Sequence, residues 1–241
     1  MKVIVVNNYD EISRSGADIV AEVVQNNPNA VLGLATGSTP IGMYNILASY
    51  NKQGKISFAN VSSVNLDEYV GLGAESDQSY VYFMNKNLFD NIDINKHNTF
   101  LPNGKAQDLQ AECVRYSNLV FSKRQDVQVL GIGSNGHIGF NEPGTPFDCK
   151  THIVNLTEST IKDNSRLFAD ISQVPHQAIT MGIQEIMQSK KILILASGKN
   201  KAKAVYAMVQ GNVSPLCPAS VLQNHNDCVV VVDRDAASLL K

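Results

Sequence analysis

Short apolar runs alternate with longer stretches of helical periodicity along the whole chain. Residues 3–6 form a compact apolar run, and Ile12, Ile19, Val20, Val23 and Val24 follow at helical spacing behind Asp10, the expected N-cap. Residues 30–34 form the second run, which ends in Thr36-Gly37-Ser38-Thr39-Pro40. That ending predicts a helix capped by Ser38 or Thr39, with Pro40 in its first turn and Met43, Tyr44 and Leu47 turned inward. A third strand is expected over 61–66, ending at Asp67-Glu68-Tyr69, and helical patterns follow over 76–89 and 108–123. The run 127–132 passes into a glycine-rich segment, Gly131-Ile132-Gly133-Ser134-Asn135-Gly136-His137. Beyond it, 151–156 reads as a strand and 159–168 as a helix. The unbroken apolar stretch 192–196 runs into Ser197-Gly198-Lys199-Asn200-Lys201 and a helix carrying Ala204, Val205 and Met208. A four-valine strand, 229–232, and a short terminal helix close the chain.

Strands alternating with helices predict βαβ units, and hence an α/β fold with a doubly wound (Rossmann-like), mostly parallel sheet and helices on both faces. No linker or repeat divides the 241 residues, so one domain is expected over 1–241. The 20 Lys+Arg against 22 Asp+Glu leave a net charge of -2, which provides no bulk attraction for nucleic acid. A chain that is 44% hydrophobic and 17% charged falls outside the disordered range. No apolar run approaches the ~20 residues of a membrane span. Cys113, Cys149, Cys217 and Cys228 are scattered without zinc-ligand spacing and read as reduced thiols. These features predict a cytoplasmic protein with no metal, cofactor or membrane partner.

Chemistry concentrates in four polar loops, each following an apolar run. In an open parallel sheet, ligands bind beyond the carboxyl ends of the strands, where such loops can converge. Thr36, Gly37, Ser38 and Thr39 offer hydroxyls beside a helix N-terminus, a setting for phosphate, although a plain helix start explains them equally well. Lys199 and Lys201 stand at another helix start, where cations oppose the macrodipole unless an anion is bound; a solvated lysine pair is the commoner meaning. Arg166 is a candidate bidentate partner for phosphate, or an ordinary surface arginine. Residues 131–136 match GxGxxG, but Pro143, Gly144 and Pro146 break up the helix a dinucleotide site needs, and Glu158 falls after the next strand as a cap. His137 and Glu142 suit an acid/base pair, although a lone histidine is more often simply packed. Asp67 and Glu68 must point to opposite sides of extended chain, so only one can face a cleft. A carboxylate there, beside apolar surface, suits proton removal from carbon, whereas an isolated pair is a solvated turn.

Together these segments resemble the glucosamine-6-phosphate deaminase family. The likeness runs through LGLATGSTPIGMY, VNLDEYVGL, SDQSYVYFMNKNLF, GIGSNGHIGFNEPGTPF, TESTIKDNSRLF and ILASGKNKAKAV, and spans nearly all of the chain. The resemblance implies conversion of glucosamine 6-phosphate and water to fructose 6-phosphate and ammonia, without a cofactor. It implies that Asp67 moves a proton from C2 to C1, that His137 assists ring opening, and that Glu142 orients His137. Ser38, Thr39, Arg166 and Lys201 are the phosphate contacts it implies, and 152–181 is a lid by the same analogy. Allosteric hexameric members carry an aspartate where this chain has Asn135, so the charge beside the histidine is smaller here. Those members also bind N-acetylglucosamine 6-phosphate through an arginine and a lysine at the positions of His152 and Val154. A non-allosteric monomer or small homo-oligomer acting on a small sugar phosphate is therefore expected.

Two competing readings are a 6-phosphogluconolactonase-like hydrolase and a non-catalytic sugar-phosphate-binding domain. The lactonases share the glycine turn and histidine, but lack the Asn-Glu-Pro that follows and need no carbon-acid base. A binding domain has no use for Asp67, His137 and Glu142 together.

Overall fold

The computed structural model describes residues 1–157 and 174–241. Seven strands form one parallel sheet: β1 (Lys2–Val6), β2 (Val31–Leu34), β3 (Ser62–Asn65), β5 (Thr99–Phe100), β6 (Val127–Leu130), β9 (Ile192–Ala196) and β10 (Cys228–Asp233). Their spatial order is β1-β10-β9-β6-β2-β3-β5. A small antiparallel sheet, ordered β4-β8-β7, joins β4 (Asp67–Tyr69), β8 (Gln177–Thr180) and β7 (His152–Asn155).

The unbroken apolar runs follow from burial on both faces. Leu193 and Leu195 point to the same side as Val229 and Val231, where α1 (Tyr9–Asn26), α2 (Ile41–Lys52) and α3 (Tyr80–Asn87) pack with Ile12, Val20, Met43, Leu47 and Met84. Ile192, Ile194 and Ala196 join Val230 and Val232 on the other side, under α4 (Leu109–Lys123), α5 (Ile183–Met187) and α6 (Ala202–Gln210). The doubly wound sheet inferred from the alternation is thus the observed architecture. Among the described residues no helix is long and apolar enough to cross a membrane.

Local chemistry shifts several expected boundaries. The cap of α1 is Asn8, whose side chain accepts from the Glu11 N–H, while Asp10 lies in the first turn. Neither Ser38 nor Thr39 caps α2, which starts after Pro40 without a side-chain cap. The strand expected over 61–66 leaves the main sheet at Leu66, whose carbonyl accepts from the Met181 N–H at 2.6 Å. Asp67-Glu68-Tyr69 therefore pairs with β8, with Asp67 opposite Thr180, instead of ending in a loop. The pattern over 76–89 becomes helical only at Tyr80, because Ser79 caps the helix by accepting from the Tyr82 N–H. After β10 the expected terminal helix is a run of turns. The helix expected over 159–168, and residues 158–173 of the 152–181 lid, lie outside the described residues.

Candidate active site

β2 and β6 are neighbours, yet the chain leaves β2 toward β3 on one side and β6 toward β9 on the other. The loops that follow them must part, and a crevice opens at this switch of direction. A cavity of about 250 Å³ occupies it. Its walls are residues 36–39 after β2, Asp67 from β4, Tyr80 from α3, residues 131–135 and His137 after β6, and Lys201 at the start of α6. The four polar loops thus meet in one place.

Asp67 is 6% exposed. Burial, and secondarily the neighbouring Glu68 charge, pushes its carboxyl up to about 8. Glu68 points the other way, as strand alternation requires, and lines a separate cavity behind β4. Its Oε1 accepts from the N–H groups of Tyr69 and Tyr80, and its Oε2 from that of Val81. Burial also raises the Glu68 carboxyl, with those three donors working against it.

The turn after β6 is built around its glycines. A Cβ on Gly133 would lie 2.3 Å from the His137 ring, so only glycine lets the imidazole fold back against the turn. Gly136 has φ of +89°, in the left-handed region that glycine enters without strain. His137 Nδ1 lies 3.5 Å from Glu142 Oε2. Asn135 joins the two: its Nδ2 donates to Glu142 Oε2 at 2.7 Å, and its Oδ1 accepts from the His137 N–H. The segment that follows His137 lies close to β4: a Cβ on Gly139 would sit 3.7 Å from Asp67 Oδ2.

The hydroxyl- and lysine-bearing loops are each braced from behind. Tyr9 Oη donates to the Ser38 carbonyl and accepts from the Gly42 N–H. Asp233 accepts from Ser197 Oγ and from the N–H groups of Gly198 and Ala236. Burial opposes the Asp233 charge, and these hydrogen bonds outweigh it, holding the carboxyl below its usual range. Arg166 lies outside the described residues. Glu142 stands behind His137 and does not line the cavity. Among the described residues no three His, Cys, Asp or Glu side chains are grouped to hold a metal ion.

Tyr80 is a cavity residue that sequence reasoning did not single out. Its ring stacks on Phe140, with centroids 6.3 Å apart and planes 12° apart, and lies 4.7 Å from the Tyr69 ring. Its hydroxyl meets Thr36 and Tyr69. The only local signal was Ser79, a helix cap that places Tyr80 at the first helical position. Thr180 was also missed; its Oγ1 accepts from the Phe140 N–H and ties the histidine turn to β8.

Residues 8–231 match the family described as glucosamine-6-phosphate isomerases/6-phosphogluconolactonase. The glucosamine-6-phosphate deaminase of Clostridium perfringens strain 13 is 50% identical over 242 residues, covering 100% of both chains. That of Thermoanaerobacter sp. strain X514 is 50% identical over 241 residues, covering 100% of this chain and 95% of its own. The solved structure of a monomeric glucosamine-6-phosphate deaminase superposes with a TM-score of 0.97 at 50% identity, over 99% of this chain and 100% of that one. The 6-phosphogluconolactonase of Trypanosoma brucei shares the fold, with a TM-score of 0.79 at 19% identity, over 100% of this chain and 98% of its own.

Proposed function

The chain belongs to the glucosamine-6-phosphate isomerase/6-phosphogluconolactonase family, and we infer that it is a glucosamine-6-phosphate deaminase of amino-sugar metabolism. The observation that carries this reading is the desolvated Asp67 carboxyl in the same cavity as His137, with Asn135 and Glu142 behind the imidazole. Lactone hydrolysis needs no base of that kind, and a binding domain needs neither group.

The sugar phosphate docks against Thr36, Gly37, Ser38 and Thr39 at the uncapped start of α2, with Lys201 and Arg166 as its cationic partners. Anchoring the phosphate holds the reacting carbons in place with binding energy gained far from them. His137, oriented by Glu142 and Asn135, carries a proton from the O1 hydroxyl to the ring oxygen as the pyranose opens. Asp67 then takes the C2 proton of the open-chain aldehyde, the substrate's ammonium passes one of its own protons to O1 to give a neutral enolamine, and Asp67 returns its proton to C1. The product is an iminium at C2. Water adds to that carbon, ammonia leaves, and fructose 6-phosphate remains. The substrate's ammonium group, entering beside Asp67, draws its carboxyl back toward the charged form that the first step needs.

The reading extends to a monomer or small homo-oligomer in the cytoplasm, supported by the monomeric relative and by four free cysteines. A coupled assay for ammonia and fructose 6-phosphate, run in parallel with 6-phosphogluconolactone, tests it. Ammonia release is expected; acid release from the lactone without ammonia overturns it.

A further inference from the structure

We propose that Glu68 is a positioning residue for the reaction: its carboxylate ties β4, which carries Asp67, to the first turn of α3, which carries Tyr80, and so holds the base and the ring wall in register across the substrate. Glu68 is 1% exposed, and all three of its backbone bonds, at 2.9–3.0 Å, serve this junction. One joins β4 itself at Tyr69, and two take up the Tyr80 and Val81 N–H groups that open the helix. Ser79 supplies the ordinary cap to Tyr82, so the start of α3 already has a local anchor. The Glu68 bonds add something Ser79 does not provide, a fixed distance between that helix start and the strand beneath the cleft.

The consequence reaches the cavity through Tyr80, whose ring stacks on Phe140 and whose hydroxyl meets Thr36 of the proposed phosphate loop. A helix start that drifts would carry this ring away from Phe140 and open the wall facing Asp67. A misplacement of about 1 Å at a reacting centre costs about 100-fold. The carboxylate also acts on Asp67 as a like charge. Among the described residues, the other titratable groups facing Asp67 are Tyr80 on α3, Tyr116 on α4, and His137 and Lys201 across the cavity. On the Glu68 side, Lys96 lines the rear cavity and pairs with Asp90, while Lys105, paired with Glu75, packs on Gly73 of the same wall.

The inference rests on the deaminase reading, so ammonia release by the unaltered protein comes first; an inactive parent overturns that reading and this inference with it, whereas an active parent with unaffected variants overturns the inference alone. With an active parent, Glu68→Gln keeps the shape but presents an amide donor to one of the helix N–H groups and removes the charge. Its kcat is expected to fall about tenfold or more, with the acidic limb of kcat/KM displaced toward lower pH. Glu68→Asp keeps the charge but is one methylene too short to span strand and helix. Its kcat is expected to fall similarly with the limb unmoved. A purely structural role predicts that the activity of both variants follows the folded fraction in thermal unfolding, with a parental kcat per folded molecule; that result overturns the proposal. If the glutamine variant does not fold, the aspartate variant decides alone, and a parental kcat in the folded protein is the overturning result.

Discussion

Asp67 holds any negative charge against the preference of its surroundings, and the desolvation that makes it a strong base also weakens the fold when it ionises. Its carboxyl rises from 3.8 to about 8, so between those values the folded state binds more protons than the unfolded one. This residue's contribution therefore lowers stability as pH climbs from about 4 to about 8, and is constant beyond. Asp67→Asn removes that cost. Even one unit of the shift is about 1.4 kcal/mol, enough to raise Tm by about 3 °C at pH 8. Little change is expected at pH 4, and thermal scans at the two pH values check both signs. The same variant should lose at least about 100-fold in kcat with KM nearly unchanged, the expected pattern for a lost general base. In the unaltered protein the acidic limb of kcat/KM, which reports the free enzyme, should fall near pH 8. The limb of kcat, reporting the complex, should lie lower because the substrate's ammonium is then in place. A limb near pH 4 in both profiles would remove Asp67 from the base role.

At the scale of elements, the phosphate side of the cleft depends on two braces that touch no substrate. Tyr9, at the start of α1, fixes the loop after β2 through the Ser38 carbonyl and the first turn of α2. Asp233, ending β10, fixes the loop after β9 through Ser197 and Gly198. Losing one hydrogen bond of this kind is worth about 0.5–1.5 kcal/mol, so Tyr9→Phe should raise KM about two- to tenfold with kcat nearly constant. Asp233→Asn should do the same by withdrawing acceptors from Ser197 and Gly198. Steady-state kinetics on both variants separate this from a fall in kcat, which would place the braces on the chemical step instead. Long elements were legible in the chain because their patterns are set by burial on both faces, as in residues 192–196. Short ones were not. Asp67-Glu68-Tyr69 carries two carboxylates and looks like a turn, and becomes a strand only because β8, more than a hundred residues later, pairs with it. The loops of the site could be read from their positions after strands. Tyr80 and Glu68 could not, because what joins them is a contact across 12 residues that no periodicity encodes.

For the molecule as a whole, the same geometry bears on regulation. The two positions where allosteric relatives are expected to hold their effector, His152 and Val154, lie two apart on β7 and so share one face of that strand. Val154 packs against the cluster of Tyr69, Phe140, Leu156 and Ala178 beneath the cleft. The His152 imidazole Nδ1 pairs with the Lys150 carbonyl. Val154, partly buried against that cluster, offers no cation to a second sugar phosphate. Among the described residues the most exposed large apolar side chains, Leu216, Val114 and Val5, sit on separate parts of the fold: the stretch after α6, the middle of α4 and the edge strand β1. Single exposed apolar residues of this kind are ordinary on monomers. The expected behaviour is a single-chain mass by light scattering and hyperbolic saturation with glucosamine 6-phosphate, unchanged by N-acetylglucosamine 6-phosphate. Sigmoidal saturation that the acetylated sugar phosphate abolishes would require a second site and communicating subunits, and would overturn the argument from β7.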